Sequence, residues 1–535
     1  LRAIRCEKVD RVPWAPFVGC QAGSLIGKNA TEFLQSSDLI VEGVQEAIRR
    51  YRPDGVPIVF DLQIEAEVFG CRLQWADENP PAVQSHPLAE GGTLADLTIP
   101  GPGDGRIATA LEATKRLRAA HSDLALYGLI TGPFTLALHL AGTNIFMSMY
   151  DDPEKVLELV AFCGEVAKAM AGYYVDAGCD VVAVVDPMTS QIGPAQFEEF
   201  VTPSAQALFG HIRGLGAAGS FFVCGHAQQN IQAMCECRPD NVSVDENIPL
   251  DYVRDICLPE GVSFGGNLQL TTVLLLGSEN DAKRNALACM ETGGEKGFIL
   301  APGCDLPYAT PPANLEAVAK LVHDPYEREV ARTLSSDGTA CDVLDMSEYG
   351  EADKVIVDII TLDSEACAPC QYMVEAVKAV APEFEGIVEW REHKIKYRES
   401  LVFMTSLMVR NIPTICIDGA ITFVSRIPHR DELIAAIQRR IYEKLRTKIQ
   451  RRRAALIVLG DGSDASRDTV EACERSIQEL GAQVEVIEEP SKEACFRYGV
   501  APAQRPAVVL ARYTLKSTTD VPDIRIIKEW VKDIQ

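Results

Sequence analysis

Short apolar runs rich in β-branched residues alternate with longer amphipathic stretches between Val12 and Leu300. The eight runs are Val12–Phe17, Gly55–Phe60, Ala125–Ile130, Val181–Val185, Ser220–Cys224, Asn241–Val244, Val262–Gly265 and Gly297–Leu300. Parallel strands covered on both faces are continuously apolar, and strands that alternate with helices form parallel sheets. The pattern therefore predicts an α/β protein that begins with a (β/α)8 TIM barrel over residues 1–326.

The pattern changes after His323-Asp324-Pro325, where residues 327–352 are charged and irregular and predict a connector. A second unit over residues 353–445 shows strand, helix and strand, followed by a hairpin through Asp418-Gly419 and a closing helix. A third unit over residues 454–535 repeats this order, after the basic stretch Tyr442–Arg453 that is predicted to separate the two. The two units are predicted to be a tandem pair of one small α/β fold.

Composition and charge narrow the function classes. The 535 residues are 47 % hydrophobic and 24 % charged, as is typical of a globular protein with several domains. Lysine and arginine number 51 against 76 aspartates and glutamates, so the net charge of −25 disfavours nucleic acid and anionic membranes as partners. Neither a membrane-spanning run nor an N-terminal leader is evident, and a cytoplasmic location is expected. The 17 cysteines are scattered, so most are expected to be reduced.

Polar and thiol side chains follow several predicted strands, at the barrel end where active sites lie. These residues are Asp61, Asp186, Cys224, His226, Asp245, Asn267 and Cys304. In a closed barrel the ends of the fifth and eighth strands meet at one mouth, so Cys224 and Cys304 can share a site. Thiolates suit Zn²⁺, and His226, two positions after Cys224, is the nearest third ligand. Two buried cysteines and a loop histidine would explain the same residues without a metal.

Several motifs occur in a characteristic order in this part of the chain. They include Lys8-Val9-Asp10-Arg11-Val12-Pro13, Gly132-Pro133-Phe134-Thr135, Val223-Cys224-Gly225, Gly266-Asn267 and Phe298-Ile299-Leu300-Ala301-Pro302-Gly303-Cys304. Together they resemble the uroporphyrinogen decarboxylase superfamily, and within it the methylcobamide:coenzyme M methyltransferase-like branch, over residues 1–325. The resemblance implies a zinc set of His-x-Cys and a distant Cys. Cys224 and Cys304 match that set, whereas Phe222 holds the histidine position, which leaves His226, Asp186, Glu246 or a non-protein thiol as the third ligand.

The number of basic residues in the loop after the first predicted strand distinguishes a decarboxylase from a methyltransferase. The decarboxylases place arginines there to pair with the many carboxylates of their substrate, but Lys28 is the only basic residue between Arg11 and Arg49. The resemblance therefore implies a zinc-dependent methyltransferase that moves a methyl group between a corrinoid (methylcobamide) protein and a small thiol or similar acceptor. No His-rich corrinoid-binding segment is evident, so the cobalamin-type cofactor is expected on a separate protein.

Four further strand-end residues receive roles in this prediction. Asp61 and Asp186 are the catalytic candidates, and Asp245 and Asn267 are expected to contact the cofactor. Two other hypotheses stay open. One is a metal-independent decarboxylase or lyase that uses Asp61, which could equally be structural. The other is a redox-responsive binding protein whose barrel does not catalyse, which Phe222 favours.

A second set of thiols, Cys367-Ala368-Pro369-Cys370, follows a strand run and opens a helix pattern. With Asn411-Ile412-Pro413-Thr414, where a cis-proline is expected, it resembles thioredoxin-like domains over residues 353–445. A helix N-terminus stabilises a thiolate, so Cys367 is predicted to be the nucleophile and Cys370 the resolving cysteine. Zinc ligation by this pair is the alternative. A thioredoxin reductase is a candidate partner.

The third unit keeps the pattern without the dithiol. Ser463-Asp464-Ala465-Ser466 stands where the CxxC motif would be, and Arg505-Pro506-Ala507 resembles the cis-proline step. It is therefore predicted to be a degenerate thioredoxin-like domain with a docking or structural role. A tethered dithiol can keep Cys224 and Cys304 reduced, provided that Cys367 reaches the barrel mouth.

Overall fold

The computed structural model describes residues 1–334, 349, 354–365, 367–453, 455–510 and 514–533, which form two compact units, Leu1–Leu433 and Ile434–Gln535. Most of the predicted connector, residues 327–352, lies outside the described residues. Its first part is helical rather than irregular, in the helix Pro325–Arg332. The side chain of Asp324 caps this helix by accepting the Tyr326 N–H at 2.9 Å, and a proline at the first helical position is pre-organised for it.

The strands of the first 334 residues form one large parallel sheet and a small ribbon. They are β1 (Gly55–Pro57), β2 (Leu73–Gln74), β3 (Ala82–Val83), β4 (Ala125–Thr131), β5 (Val181–Val185), β6 (Ala218–Val223), β7 (Asn241–Val244), β8 (Ser263–Leu268) and β9 (Phe298–Pro302). The parallel sheet has seven strands in the order β1-β4-β5-β6-β7-β8-β9, and β2 pairs with β3 antiparallel. Every residue of β5 is buried, as expected for a strand covered on both faces.

Helices connect these strands. They are α1 (Cys20–Leu25), α2 (Ala30–Leu34), α3 (Ser37–Tyr51), α4 (Ile64–Val68), α5 (Gly105–Ala120), α6 (Pro133–Ala141), α7 (Ile145–Asp151), α8 (Pro153–Ala177), α9 (Pro194–Gln196), α10 (Thr202–Gly214), α11 (Ile231–Glu236), α12 (Leu250–Cys257), α13 (Glu279–Gly293), α14 (Pro312–His323) and α15 (Pro325–Arg332). Short 3-10 or π-helical segments occur at Leu94–Asp96, Pro187–Gln191, Phe197–Val201, Gln228–Asn230 and Leu270–Leu275. Among all described residues, no helix has the length and apolar composition needed to cross a bilayer.

The first predicted strand, Val12–Phe17, joins the two edges of the sheet without forming a regular strand. Trp14 pairs with Leu300 of β9 in a parallel bridge, and the Ala15 N–H donates to the Leu300 carbonyl at 3.0 Å. On the other side, the Asp54 N–H donates to the Trp14 carbonyl at 2.8 Å, immediately before β1. The sheet therefore curls into a barrel-like α/β fold with seven regular strands instead of the predicted eight.

Aromatic side chains fill the interior of the curled sheet. The rings of Phe17, Phe60 and Phe222 lie with centroids between 5.5 and 6.3 Å apart. Cys224 and Cys304 pack against this apolar cluster from the side of the strand ends. The interior is thus a packed core, and the space open to a small molecule lies above it.

The first unit also contains a four-stranded sheet. Its elements are β10 (Val355–Thr361), α16 (Ala368–Val380), β11 (Val388–Lys394), α17 (Arg398–Ser406), β12 (Thr414–Ile417) and β13 (Ala420–Val424), with a 3-10 segment at Ala381–Phe384. The strand order is β11-β10-β12-β13, with β10 parallel to β11 and antiparallel to β12, and β12 antiparallel to β13. The peptide bond between Ile412 and Pro413 is cis.

This sheet is packed onto the barrel through α16. Tyr372 is fully buried, belongs to the barrel's hydrophobic core cluster, and approaches His139 Nδ1 of α6 with its hydroxyl at 3.1 Å. Beside it, Gln371 Nε2 donates to the Val83 carbonyl at 2.6 Å. These buried contacts fix the N-terminus of α16, and with it the CxxC motif, relative to the barrel.

The second unit has a sheet of the same design. Its elements are α18 (Arg430–Arg453), which crosses the division between the units, β14 (Ala455–Leu459), α19 (Asp464–Leu480), β15 (Glu485–Glu488), α20 (Lys492–Arg497), β16 (Ala507–Leu510), β17 (Thr514–Thr518) and α21 (Ile524–Lys532), with a 3-10 segment at Pro502–Gln504. The strand order β15-β14-β16-β17 repeats the order and directions of the first four-stranded sheet. The basic stretch Tyr442–Arg453 continues α18 instead of breaking it, because it contains neither glycine nor proline and is rich in good helix formers.

Candidate active site

A cavity of about 200 Å³ lies at the carboxyl ends of the parallel strands. Its walls come from the strand-end loops of the barrel on one side and from the CxxC region on the other. The two predicted thiol pairs, Cys224 with Cys304 and Cys367 with Cys370, all line it. The structure therefore brings both sets of sequence-predicted cysteines to one place.

Cys224 and Cys304 form a contact pair across the mouth. Cys224 directly follows β6 and Cys304 lies two residues after β9, so two strand ends that are distant in sequence deliver the two sulfurs. The neighbouring Cys224 thiol, followed by burial, raises the pKa of Cys304 well above its ordinary value. The Cys304 thiol lowers the pKa of Cys224, but burial, the neighbouring thiols and Asp245 raise it more. Both groups are therefore neutral thiols near pH 7.

Cys367 and Cys370 lie at the start of α16. Cys367 is the N-cap residue, but its side chain accepts no hydrogen bond from the start of the helix. The neighbouring Cys370 thiol, burial and the nearby Cys304 raise the pKa of Cys367, which is opposite to the predicted thiolate. An enclosed cavity with several thiols is a costly place for a negative charge, and this cost exceeds the benefit of the helix terminus.

The predicted zinc set is incomplete at this site. Phe222 is 2 % exposed and packs against other rings, so it offers no ligand atom. His226 follows Cys224 but is not among the residues that line the cavity. In the described part of the chain, no three His, Cys, Asp or Glu side chains come together in an arrangement able to hold a metal ion. A catalytic zinc needs three protein ligands, so the two thiols alone do not fit it, and the zinc assignment stays a prediction.

Two adjacent carboxyl groups, Asp245 and Glu246, line the cavity after β7. Asp245 accepts the Gly225 N–H at 2.6 Å and the Asn247 side-chain amide at 2.8 Å, and thereby fixes the turn that carries Cys224. Glu246 accepts the Leu270 N–H with Oε1 at 3.0 Å, whereas its buried Oε2 has no hydrogen-bond partner among the described residues. Burial raises the pKa of Asp245 to about 6. Burial, followed by the adjacent Asp245, raises the pKa of Glu246 to about 8.

Replacing Glu246 by glutamine should raise the thermal midpoint of the first unit more at pH 9 than at pH 5.5. The pKa of Glu246 is raised on folding, so its contribution to stability is complete below the unfolded pKa and is lost as the pH rises towards about 8. Glutamine removes this pH-dependent loss, which is on the order of 3 kcal/mol between pH 5.5 and pH 9. Calorimetry at both pH values measures the effect. The exposed Glu198, changed to glutamine, is the control, and an equal gain in both variants would contradict the assignment.

The other predicted acids make structural contacts away from the cavity walls. Asp61 is buried, pairs with Arg106 and accepts the Gln63 N–H at 2.8 Å. Asp186 caps α6 by accepting the Thr135 N–H at 2.8 Å and its hydroxyl at 2.6 Å, and burial raises its pKa to about 6. Neither lines the cavity, so their catalytic roles remain predictions.

Asn267 also lies behind the cavity wall. Its side-chain amide donates to the Ile248 carbonyl at 2.8 Å and to the Asp245 carbonyl at 3.3 Å. It thus fixes the loop that carries Asp245 and Glu246, and it is not one of the lining residues. Its predicted cofactor contact is an expectation that the structure leaves without support.

Among the lining residues that were not predicted from the sequence, two lie in loops that follow predicted barrel strands. Cys20, at the start of α1, adds a fifth thiol, and Asp305 follows Cys304. Burial raises the pKa of Asp305 well above its ordinary value, and no residue in the described part of the chain hydrogen-bonds to its Oδ1. The signal for both was position, since Cys20 lies in the loop after the first predicted strand and Asp305 in the loop after the last.

The charge of the cavity is unfavourable for an anionic ligand. Five carboxyl groups line it, from Glu78, Asp245, Glu246, Asp305 and Asp363. Lys396 is the sole cation among the described lining residues, and its ammonium pairs with Asp363 at 2.6 Å. A ligand with several carboxylates would therefore find no unpaired cation on these walls.

Comparisons with known proteins cover the barrel. The sequence model of the uroporphyrinogen decarboxylase (URO-D) family matches residues 1–325. A methylcobamide:CoM methyltransferase of Methanosarcina acetivorans is 26 % identical over 329 residues, which cover 60 % of this chain and 95 % of the relative. A uroporphyrinogen decarboxylase of Streptomyces avermitilis is 25 % identical over 293 residues, 54 % of this chain and 81 % of the relative.

A solved structure of a methyltransferase from Methanosarcina mazei shares the fold. It superposes with a TM-score of 0.57 at 23 % sequence identity, and the match covers 61 % of this chain and 97 % of that one. This likeness supports the barrel-like architecture of the first part of the chain. The relatives with related sequences thus include both methyltransferases and decarboxylases.

Proposed function

Because the chain belongs to the uroporphyrinogen decarboxylase family through residues 1–325, we propose that its barrel is a methyltransferase that moves a methyl group from a corrinoid on a separate protein to a small thiol. The observation that carries this proposal is that Cys224 and Cys304, delivered by two strand ends, line the same small cavity. The named activities of the similar methyltransferases support the same chemistry.

The cavity charge favours methyl transfer over porphyrinogen decarboxylation. A substrate with many carboxylates is bound by arginines in bidentate pairs. The described walls carry five carboxyl groups and one cation that is already paired. Arg106 is buried against Asp61 and does not line the cavity. A neutral or cationic thiol fits these walls better than a polyanion does.

The size of the cavity favours the smaller of the two proposed substrates, the thiol, as its ligand. Pockets that enclose drug-sized ligands have volumes of about 300–1,000 Å³, so the observed space suits a smaller molecule. A corrin macrocycle does not fit, and the methylcobamide is accordingly a substrate presented by its carrier protein at the mouth. It supplies a methyl group on cobalt, whose departure leaves the electron pair with the carrier.

The residues of this chain would hold the acceptor sulfur and manage its proton. Cys224 and Cys304 have raised pKa values and stay protonated, so their S–H groups can donate to a bound thiolate in a site of low dielectric. Glu246 Oε2, unpartnered and with a pKa of about 8, is matched to the pKa of a free thiol and can accept its proton. The new carbon–sulfur bond then forms as the carbon–cobalt bond breaks.

Zinc dependence and the redox role of the second part are finer proposals. The two thiols fall one ligand short of a catalytic zinc site, so no step is assigned to the metal. The four-stranded sheet of the first unit, together with α16 and α17, is proposed to be thioredoxin-like. Its CxxC at a helix start and its strand order support this, as does the position of Pro413 beside the cysteines in the cavity wall. The sheet of the second unit, without a CxxC, is proposed to be its degenerate copy.

The proposal is tested with the full chain, methylcobalamin and a panel of thiols under anaerobic, reducing conditions. We expect thiol-dependent loss of the cobalt–methyl absorbance and formation of the methyl thioether. We also expect the neutral 2-mercaptoethanol to react with a higher kcat/KM than an anionic thiol of similar size, since the described walls offer no unpaired cation. Decarboxylation of uroporphyrinogen with no methyl transfer to any thiol would overturn the proposal.

A further inference from the structure

Two pairs of free thiols line one cavity of about 200 Å³. Cys224 and Cys304 come from the ends of β6 and β9, and Cys367 and Cys370 come from the start of α16. Cys367 also lies close enough to both barrel cysteines for their charges to interact. Exchange between the two pairs therefore needs no other protein to bring them together.

The packing of α16 directs the CxxC towards the barrel instead of towards solvent. Cys370 is fully buried, and the neighbouring Tyr372 is inserted into the barrel core. On the chain segment before the motif, Asn79 Nδ2 of the barrel donates to Asp363 Oδ2 at 3.2 Å. In this arrangement a protein-sized partner cannot reach the fully buried Cys370. The barrel cysteines, in contrast, line the same cavity as Cys370.

The environment of the barrel pair suits redox chemistry better than metal binding. The position where the third zinc ligand is expected holds Phe222, and no third ligand is present among the described side chains. A second dithiol, Cys367 with Cys370, lines the same cavity as the barrel pair. Cys224 and Cys304 are free thiols on the wall of the same cavity, so both are available for oxidation.

We infer that the CxxC is an internal reductant that converts a Cys224–Cys304 disulfide back to two thiols by dithiol–disulfide exchange within the cavity. Cys367 attacks one sulfur of the barrel disulfide, which forms a mixed disulfide and releases one barrel thiol. Cys370 then attacks Cys367, which releases the second barrel thiol and leaves a Cys367–Cys370 disulfide. Two electrons and two protons pass from the CxxC to the barrel pair, so the step balances without a further reactant. A peroxide forms the barrel disulfide, and a small dithiol re-reduces the CxxC.

The exchange has a clear use at this site. A disulfide between Cys224 and Cys304 removes both S–H donors from the cavity wall, whichever acceptor is bound there. A reductant held in the same cavity acts at an effective concentration of about millimolar or more, which outcompetes dilute external thiols. The inference concerns sulfur chemistry alone, so it can fail or succeed independently of the proposed methyl transfer.

The test exposes the reduced full chain to a short pulse of hydrogen peroxide, followed by acid quench, alkylation and mass mapping of disulfides. In the parent protein we expect oxidation to collect at Cys367–Cys370. In the double variant Cys367→Ser with Cys370→Ser we expect the Cys224–Cys304 disulfide fraction to rise about tenfold or more. Cys235 and Cys257 are an internal control, because their sulfurs lie 3.5 Å apart elsewhere in the barrel and should oxidise equally in both proteins.

A trapping variant identifies the exchange partner. Cys370→Ser lacks the resolving thiol, so its oxidised form should accumulate a mixed disulfide from Cys367 to Cys224 or Cys304. A cross-link to Cys20 alone, or none to the barrel, would overturn the inference. If this variant does not fold, the parent decides the matter by itself, since a barrel disulfide that persists beside a reduced CxxC would also overturn it.

Discussion

Replacing both barrel cysteines by alanine, in Cys224→Ala with Cys304→Ala, is expected to lower kcat/KM for methyl transfer to thiols about 100-fold or more. In the proposed function, the two S–H groups donate to the acceptor sulfur from the cavity wall. Removing one preorganised donor beside a reacting atom typically costs about 10²–10³-fold in enzymes, and thiols are weaker donors than amides. The control is Cys6→Ala, whose thiol contacts the Gly261 carbonyl at 3.7 Å and does not line the cavity.

Serine substitutions at the same positions distinguish two possible roles of the cysteines, hydrogen-bond donation and metal binding. A hydroxyl still donates a hydrogen bond but is a poor neutral ligand for zinc. If donation is the role, Cys304→Ser keeps much of the rate that Cys304→Ala loses, and the metal content does not change. Loss of rate in both variants, together with loss of about one bound zinc per chain, would instead support the predicted zinc site. Unchanged rates in the double alanine variant would contradict any role for the pair.

The largest effect on stability is expected for Asp61→Asn, which should lower the free energy of unfolding of the first unit by about 3–5 kcal/mol. Arg106 is 8 % exposed, pairs with Asp61 and with Glu67 at 2.6 Å, and lies over the Trp75 ring at 4.8 Å. Asparagine leaves this buried guanidinium without its main counter-charge. Breaking a buried pair on one side costs more than the pair itself contributes, because the remaining charge is then compensated only by the partly exposed Glu67.

The measurement is urea unfolding of the first unit, with Asp38→Asn as the matched control. Asp38 pairs with Arg116 at 2.6 Å, but its side chain is 83 % exposed, so the control should lose less than about 1 kcal/mol. A loss of similar size in both variants would show that the Asp61 pair is not a major source of stability. Normal stability with loss of all activity would return Asp61 to the catalytic candidates.

The strand-end rule located the candidate site well, for physical reasons that the sequence carries. Continuously apolar runs mark buried parallel strands, and residues just after them share one end of a barrel. Cys224 and Cys304 could therefore be paired from the sequence although 80 positions separate them. The same rule could not tell which strand-end side chains face the cavity. Asp61 and Arg106 are 45 residues apart, and nothing in their spacing indicates that one neutralises the other.

The pattern of hydrophobic and polar residues could not predict where Cys367 and Cys370 lie relative to the barrel. The sequence pattern predicted a helix that begins at the CxxC motif, but the helix is docked by Tyr372 in the barrel core and by the Gln371 contact with Val83. Such contacts depend on complementary surfaces from distant segments. The predicted lowering of the Cys367 pKa also depends on distant segments. The helix start lowers this pKa, but the neighbouring thiols and the enclosing walls raise it more.

The most direct test of methyl transfer to sulfur follows the methyl group itself. Methylcobalamin with a fully deuterated methyl group is incubated anaerobically with the reduced full chain and 2-mercaptoethanol, and the thioether is analysed by mass spectrometry. We predict that the product carries the intact deuterated methyl group and that Cys224→Ala with Cys304→Ala suppresses it about 100-fold. A label that stays on the corrinoid with every thiol, while uroporphyrinogen is decarboxylated by the same preparation, would contradict the account.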